Sequence, residues 1–192
     1  EDLRGLNYFS RLYEAIASHQ VVSLQYHKFT GEAWERLVHP YQLRQYNNRW
    51  FLVGWEPAVA AKIPLVVIPL DRIDDYTVLE KESYEPYEGD IDACFKDIVG
   101  VSLKFNESCS HIVFKAYPPT FSYIETKPIH HSQRIVERHE DYTIFSLDLI
   151  PNYEFETIMM SYADNCEILK PQDLKESLVC RAKNIIKYNA DI

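Results

Sequence analysis

Glycine is scarce in this chain: the 192 residues include five glycines, and no Gly-rich phosphate loop is present. The hydrolase patterns G-x-S-x-G and H-E-x-x-H are also missing. No apolar run approaches the ~20 residues of a membrane span, and the longest, residues 63–70, is interrupted by two prolines. We therefore predict that the chain is not an enzyme, has no catalytic residues, uses no cofactor and has no membrane partner.

Closely spaced cysteines are absent as well. The four cysteines are at least 14 residues apart and form no C-x-x-C pair, which argues against structural zinc. The pair His130-His131 lacks an i+4 partner and a carboxylate at useful spacing, so no metal site is predicted. Because no secretory hydrophobic segment is present, we expect reduced thiols and a cytoplasmic location.

The charge is predominantly acidic, with 29 Asp and Glu against 20 Lys and Arg, for a net charge of −9. A negative field repels phosphate, which argues against duplex-DNA binding by the whole chain. Residues 27–49 differ, with four basic and two acidic side chains, and are a candidate local anion site. Residues 74–97 carry nine acidic and two basic side chains, as expected of a solvated face or a linker.

The first half of the chain changes from helical to strand periodicity. Residues 3–17 predict an amphipathic helix whose apolar stripe must pack on another element, with Leu6, Phe9, Tyr13 and Ile16 on that stripe. Residues 22–27 alternate apolar and polar side chains, as strands do. Further short strands follow, two of them joined by a tight Asn47-Asn48 turn. These strands predict a small antiparallel β-barrel over residues 21–90.

The second half predicts the element order β-α-β-β-α-β-α, which is the ferredoxin-like βαββαβ pattern with a C-terminal helix. Asn152 is the expected N-cap of its second helix. The predicted class is α+β, with a connecting helix (1–20), the barrel (21–90), a linker helix (91–99) that ends near Gly100, and the ferredoxin-like domain (100–192).

Two sets of motifs resemble a known family. The first half is similar to the WYL domain of bacterial transcriptional regulators, through Arg36-x-x-His39-Pro40-Tyr41-x-Leu43, Trp50-Phe51-Leu52 and Asp71-Arg72-Ile73. The second half resembles the WCX extension that often follows it, through Ser132-Gln133, Leu149-Ile150-Pro151-Asn152-Tyr153-Glu154-Phe155 and Ile168-Leu169-Lys170-Pro171-x-x-Leu174. Phe51 replaces the tyrosine that gives the domain its name, so no hydroxyl is available there.

The resemblance implies an Sm-like barrel that senses a nucleotide or a single-stranded nucleic acid. It also implies homodimers and an N-terminal helix-turn-helix domain that binds operator DNA. No such domain fits in residues 1–20, so the sequence is expected to be the sensor part of a longer regulator. The alternative is a standalone module that binds single-stranded nucleic acid.

An anionic, base-bearing ligand needs guanidinium donors and a flat stacking surface. Arg36 and Arg72, at the motif positions, are the first candidates, with acidic neighbours as alternative partners for Arg72. Tyr26 and Tyr41 are candidates to stack on a base, with core packing as the alternative for Tyr26. His39 could exchange hydrogen bonds with the ligand or be a satisfied structural residue, and Arg49 could contact the ligand or be simply exposed. Ser23 and His27, opposite the apolar face of their strand, could reach the ligand side. In the second domain, Arg134 and Arg138 are expected on one strand face, as a possible groove or a solvated charge pair.

Overall fold

The computed structural model describes residues 5–27, 31, 33–162 and 164–190. The chain divides into two compact units, Glu1–Asp92 and Ala93–Ile192. Each unit contains one antiparallel sheet. The α+β class predicted from the sequence is therefore confirmed.

The first unit begins with a 3-10 turn (Leu6–Tyr8) and helix α1 (Phe9–Ala17). Five strands follow, paired in the order β4-β3-β2-β1-β5: β1 (Val21–His27), β2 (Ala33–Tyr46), β3 (Arg49–Trp55), β4 (Val66–Pro69) and β5 (Ile73–Leu79). A 3-10 turn, Leu70–Arg72, joins the last two strands.

The predicted β-barrel does not close among the described residues. Strands β4 and β5 are the two ends of the sheet order, and within the described residues no pairing between them closes the sheet. Residues 33–38 of β2 pair with β1, whereas residues 39–46 pair with β3. The long strand β2 therefore joins two halves of an open sheet.

Local sequence features explain how β2 bends and turns. A bulge follows Pro40, which has no N–H to donate to the strand ladder. The opposing residue is Gly54, where a Cβ atom would lie 2.6 Å from the carbonyl oxygen of His39. Asn47 and Asn48 both adopt positive φ, at 46° and 57°, as the predicted tight hairpin turn requires. These features fix the register of β2 against β3.

Helix α1 packs on the sheet of its own unit. Leu12 and Ala15 are buried in the same core as Leu24 and Leu52 of the strands. The predicted stripe is partly wrong, because Leu6 and Tyr13 are exposed. The first two residues of the predicted helix, 3 and 4, lie outside the described residues.

The second unit contains α3 (Thr120–Thr126), α4 (Tyr153–Ser161) and α5 (Gln172–Asn189). Its four strands pair in the order β7-β8-β6-β9, with β6 (Ser110–Ala116), β7 (Arg134–Arg138), β8 (Thr143–Leu149) and β9 (Cys166–Lys170). The chain order and the pairing order together match the ferredoxin-like prediction. Its buried core includes Phe114, Phe145 and Phe155.

Helix α2 (Ile91–Lys96) spans the division between the two units. It ends at Lys96, earlier than the predicted end beside Gly100, although Gly100 does adopt a positive φ of 76°. Asn152 caps α4 as predicted, since its side chain accepts a hydrogen bond from the backbone N–H of Phe155.

No helix among the described residues is long and apolar enough to cross a membrane. The four cysteines are thiols rather than disulfides. Among the described residues, no group of three or more His, Cys, Asp or Glu side chains is arranged to hold a metal ion.

Candidate ligand-binding site

Two predicted arginines meet at one tyrosine. Arg72 donates from Nη1 to the hydroxyl oxygen of Tyr26 over 3.1 Å, and the guanidinium carbon of Arg36 lies 5.2 Å from the centre of the Tyr26 ring. Arg36 also donates to Glu56 from Nε over 3.0 Å and from Nη2. We call Tyr26, Arg36, Glu56 and Arg72 the Tyr26 cluster.

Strand register explains why these side chains meet. Tyr26 pairs with Trp34, and Leu24 pairs with Arg36. Side chains of directly paired residues share a sheet face, so Tyr26, Trp34 and Arg36 lie on the face of Leu24, which is a core residue. Arg72 comes from the 3-10 turn between β4 and β5, and Glu56 directly follows β3. The Tyr26 cluster therefore combines residues from four segments at one end of the core.

Tyr26 takes the structural alternative, core packing, rather than a stacking role. The Tyr26 ring belongs to the core and is 7% exposed, which leaves it no room to stack on a ligand. Trp34 is paired with Tyr26 and is 44% exposed. Trp34, which the sequence analysis did not single out, therefore presents an exposed ring on this face of the sheet.

Ser23 faces the other side of the sheet, where its hydroxyl donates to Glu35 over 2.6 Å. It borders a surface hollow of about 400 Å³ together with Glu35, Leu37, Glu56, Pro57, Ala58 and Leu79. Glu56 is therefore common to this hollow and to the Tyr26 cluster.

His39 and Tyr41 hold the acidic segment that follows β5. The backbone N–H of Glu85 donates to Nδ1 of His39 over 2.9 Å, and the Tyr41 hydroxyl donates to the Glu85 carbonyl over 2.8 Å. Tyr84 donates to the Pro40 carbonyl over 3.0 Å. Burial lowers the pKa of His39 and raises the pKa of Tyr41. These contacts give both predicted ligand residues a structural role.

The burial of His39 predicts acid sensitivity. Burial lowers its pKa from 6.5 more strongly than Glu85 and Glu82 raise it, so the unfolded chain binds a proton in a pH range where the folded chain does not. The free energy of unfolding therefore falls as pH drops through 6.5, until the lower folded pKa is passed. Gln at position 39 keeps an acceptor for the Glu85 N–H, and H39Q should lose part of this pH dependence.

Urea denaturation followed by tryptophan fluorescence at pH 7 and at pH 5 measures the effect. All three tryptophans, Trp34, Trp50 and Trp55, belong to the first unit. An undiminished pH dependence in H39Q would contradict the assignment.

The two remaining candidates of the first unit pair with acidic residues. Arg49 lies 3.3 Å from Asp71, and the Arg49 side chain is 44% exposed. His27 contacts Asp74 through Nδ1 at 2.9 Å. Neither contact involves a residue of the Tyr26 cluster. The His27–Asp74 pair is exposed, and pairs of this kind contribute at most about 1 kcal/mol to stability.

The predicted Arg134–Arg138 groove is wrong, because the two side chains lie on opposite faces. Arg134 pairs with Ser146 and Arg138 with Thr143, and a bulge at Val136 shifts the register between them. Positions three apart on β8 face opposite sides of the sheet. Arg138 instead makes two hydrogen bonds to Glu125, at 2.9 and 2.6 Å.

The histidine pair of the second unit is structural. His130 and His131 both direct Nε2 at the carbonyl oxygen of Lys96, at 2.8 and 3.0 Å. A carbonyl oxygen accepts hydrogen bonds, so each Nε2 carries a proton. Burial lowers the pKa of His130. The pair therefore anchors the end of α2.

Glu56 and Trp34 are the site residues that sequence reasoning missed. Glu56 is 20 positions from Arg36, and no local periodicity predicts a pair at that separation. The one available signal was a carboxylate between Trp55 and Pro57, directly after an apolar strand. Trp34 precedes the motif that begins at Arg36, in the same alternating register.

Comparison with protein families decides the identity of the two units. A family model of the WYL domain matches residues 7–78, and a model of the WCX domain matches residues 101–186. The chain is a WYL-domain protein with a WCX extension. The resemblance of the sequence motifs is confirmed. The WYL match begins before α1, the helix that packs on the WYL sheet. The two domains support a coarse assignment as a regulatory, ligand-sensing module.

Two solved structures are similar to this WYL–WCX chain. Proteasome accessory factor B/C (PafBC) of Arthrobacter aurescens is 17% identical, with a TM-score of 0.40, over 94% of this chain and 27% of that one. A CRISPR Cas-related protein is 12% identical, with a TM-score of 0.57, over 98% of this chain and 54% of that one. The likeness to the CRISPR Cas-related protein shows the fold alone. This chain spans 54% of the length of that protein and 27% of the length of PafBC. Comparison with curated protein sequences gives no match.

Proposed function

We propose that this chain is the ligand-sensing part of a bacterial transcriptional regulator. In this proposal the WYL domain binds a nucleotide or a short single-stranded nucleic acid at the Tyr26 cluster. Binding then controls a helix-turn-helix domain, outside this sequence, that contacts operator DNA. The observation that carries the proposal is the meeting of Arg36 and Arg72 at Tyr26.

The chemistry of the Tyr26 cluster suits such a ligand. A guanidinium offers planar donors that match phosphate oxygens. The Tyr26 hydroxyl accepts from Arg72 and keeps its own proton to donate. The exposed ring of Trp34 would stack on a base. The cluster thus brings two guanidinium groups and one carboxylate together in a chain whose net charge is −9.

Regulation further requires that the ligand bind two states with different affinity. The family leads us to propose a homodimer. In such a dimer, a shift of one protomer against the other would change the distance between the two helix-turn-helix domains. Binding energy at the WYL domain would then alter affinity for the operator.

The exposed Trp34 also favours a second function, a standalone module that grips single strands. Such a module binds longer strands more tightly and weakens steeply as salt rises. A sensor saturates with one short ligand, because its site ends where the Tyr26 cluster ends. The two functions therefore predict different dependence on strand length.

Titration with nucleotides and with thymidylates of 2 to 20 residues tests the proposal, using thermal shift and tryptophan fluorescence. A sensor should reach constant affinity at a short length, with about 2.7 kcal/mol of added stability at a ligand concentration 100 times Kd. The control R138A removes an exposed charge from the WCX domain and should bind as wild type does. Absence of any thermal shift would contradict the proposal, and affinity that grows with length would favour the standalone module.

A further inference from the structure

We propose that Glu56 is a charge gate that competes with the ligand for Arg36, an inference that rests on the proposed function. Glu56 uses one oxygen, Oε2, to accept from both Nε and Nη2 of Arg36. A phosphate ligand would present the same kind of oxyanion to the same donors. The carboxylate thus stands where an anionic group of the ligand would bind.

The Arg36–Glu56 pair is largely buried, so it separates only when a ligand replaces the lost partner of Arg36. The side chains are 18% exposed for Arg36 and 9% for Glu56. Separating a buried pair leaves a charge without compensation unless another group replaces the lost partner. Only a ligand that brings its own anionic group to Arg36 supplies that replacement.

The structure also provides a place for the displaced carboxylate. Glu56 borders the hollow of about 400 Å³ on the side of Ser23 and Glu35. Rotation of its side chain toward this open hollow restores hydration without movement of the sheet. Movement of the Glu56 side chain alone therefore frees Nε and Nη2 of Arg36 for a ligand.

The gate makes the site selective for anionic ligands. A neutral ligand offers no oxyanion to Arg36 and leaves its pair with Glu56 closed. An anionic ligand gains Arg36 only at the cost of displacing Glu56. Removal of the Glu56 charge should therefore raise the affinity for anionic ligands of any length.

E56Q tests the gate, because an amide keeps the shape and removes the charge. Its affinity for thymidine monophosphate and for pentathymidylate should rise about tenfold, as measured by calorimetric titration of the full chain. The matched control E156Q removes the charge of a carboxylate that pairs with Arg181 in the WCX domain and should change affinity less than twofold. In the R36A background, E56Q should give no gain.

The outcomes separate the gate from the function. Tightening in E56Q that disappears with R36A supports the gate. Weakened binding in R36A, together with unchanged or weaker binding in E56Q, overturns the gate and leaves the proposed function standing. The function itself is overturned if wild type does not bind, or if R36A and R72A both bind as tightly as wild type. If E56Q does not melt cooperatively, E56D decides: its shorter carboxylate should tighten binding several-fold, and no gain overturns the gate.

Discussion

Replacement of Arg72 by alanine is expected to weaken the binding of pentathymidylate by 1–2 orders of magnitude. A hydrogen bond to a charged group contributes about 1.5–3 kcal/mol, and each 1.4 kcal/mol corresponds to a factor of ten in Kd. R72A also removes the donor to the Tyr26 hydroxyl, so this hydroxyl is no longer held in place to donate to a ligand. Calorimetric titration at fixed, stated salt measures the change.

Two further variants serve as a control and as a conservative replacement. R44A removes an arginine of the same domain that pairs with Asp92, and it should bind within twofold of wild type. R72K keeps the charge without the planar fork and should fall between wild type and R72A. Unchanged affinity in R72A would refute the site, and a large loss of thermal stability would assign Arg72 to the fold instead.

Replacement of Asn152 by alanine is expected to destabilise the WCX domain by about 2–4 kcal/mol. Asn152 is 1% exposed and caps α4 through the Phe155 N–H over 3.0 Å. It also donates to the carbonyls of Val99 over 2.7 Å and Ser102 over 3.2 Å. Loss of the cap costs about 0.5–2 kcal/mol, and unpaired buried acceptors cost about 1–3 kcal/mol.

Urea denaturation followed by circular dichroism measures this loss. N152S keeps an oxygen for the cap and loses the donors to both carbonyls, so its stability should lie between N152A and wild type. N189A changes an exposed asparagine at the end of α5 and should have little effect. A wild-type midpoint in N152A would show that the cap and the two carbonyl contacts are dispensable.

The secondary structure was largely predictable, because periodicity and turn chemistry are local. Asn47-Asn48 predicted a tight turn and Asn152 predicted a cap, and both are observed. The buried face of α1 was predicted less well, because Tyr13 fits the helical spacing and yet faces solvent. Periodicity locates an apolar stripe but not the sheet against which that stripe packs.

The candidate site was predictable only where motifs supplied positions. Arg36 and Arg72 do approach one another through Tyr26. The pairing of Arg36 with Glu56 and the anchoring of Glu85 by His39 join segments 20 and 46 positions apart. Such pairings depend on strand order, which no local pattern encodes. The bulge at Val136 was missed for a related reason, since it needs the register of a partner strand.

The bulge in β7 also affects how copies of the chain meet at high concentration. β7 lies at one end of the WCX sheet order, every residue of it is exposed, and its charged residues are Arg134, Glu137 and Arg138. A kinked, charged strand is a poor template for adding a strand from another molecule. The bulge that places Arg134 and Arg138 on opposite faces therefore also disfavours edge-to-edge pairing of this sheet with another copy.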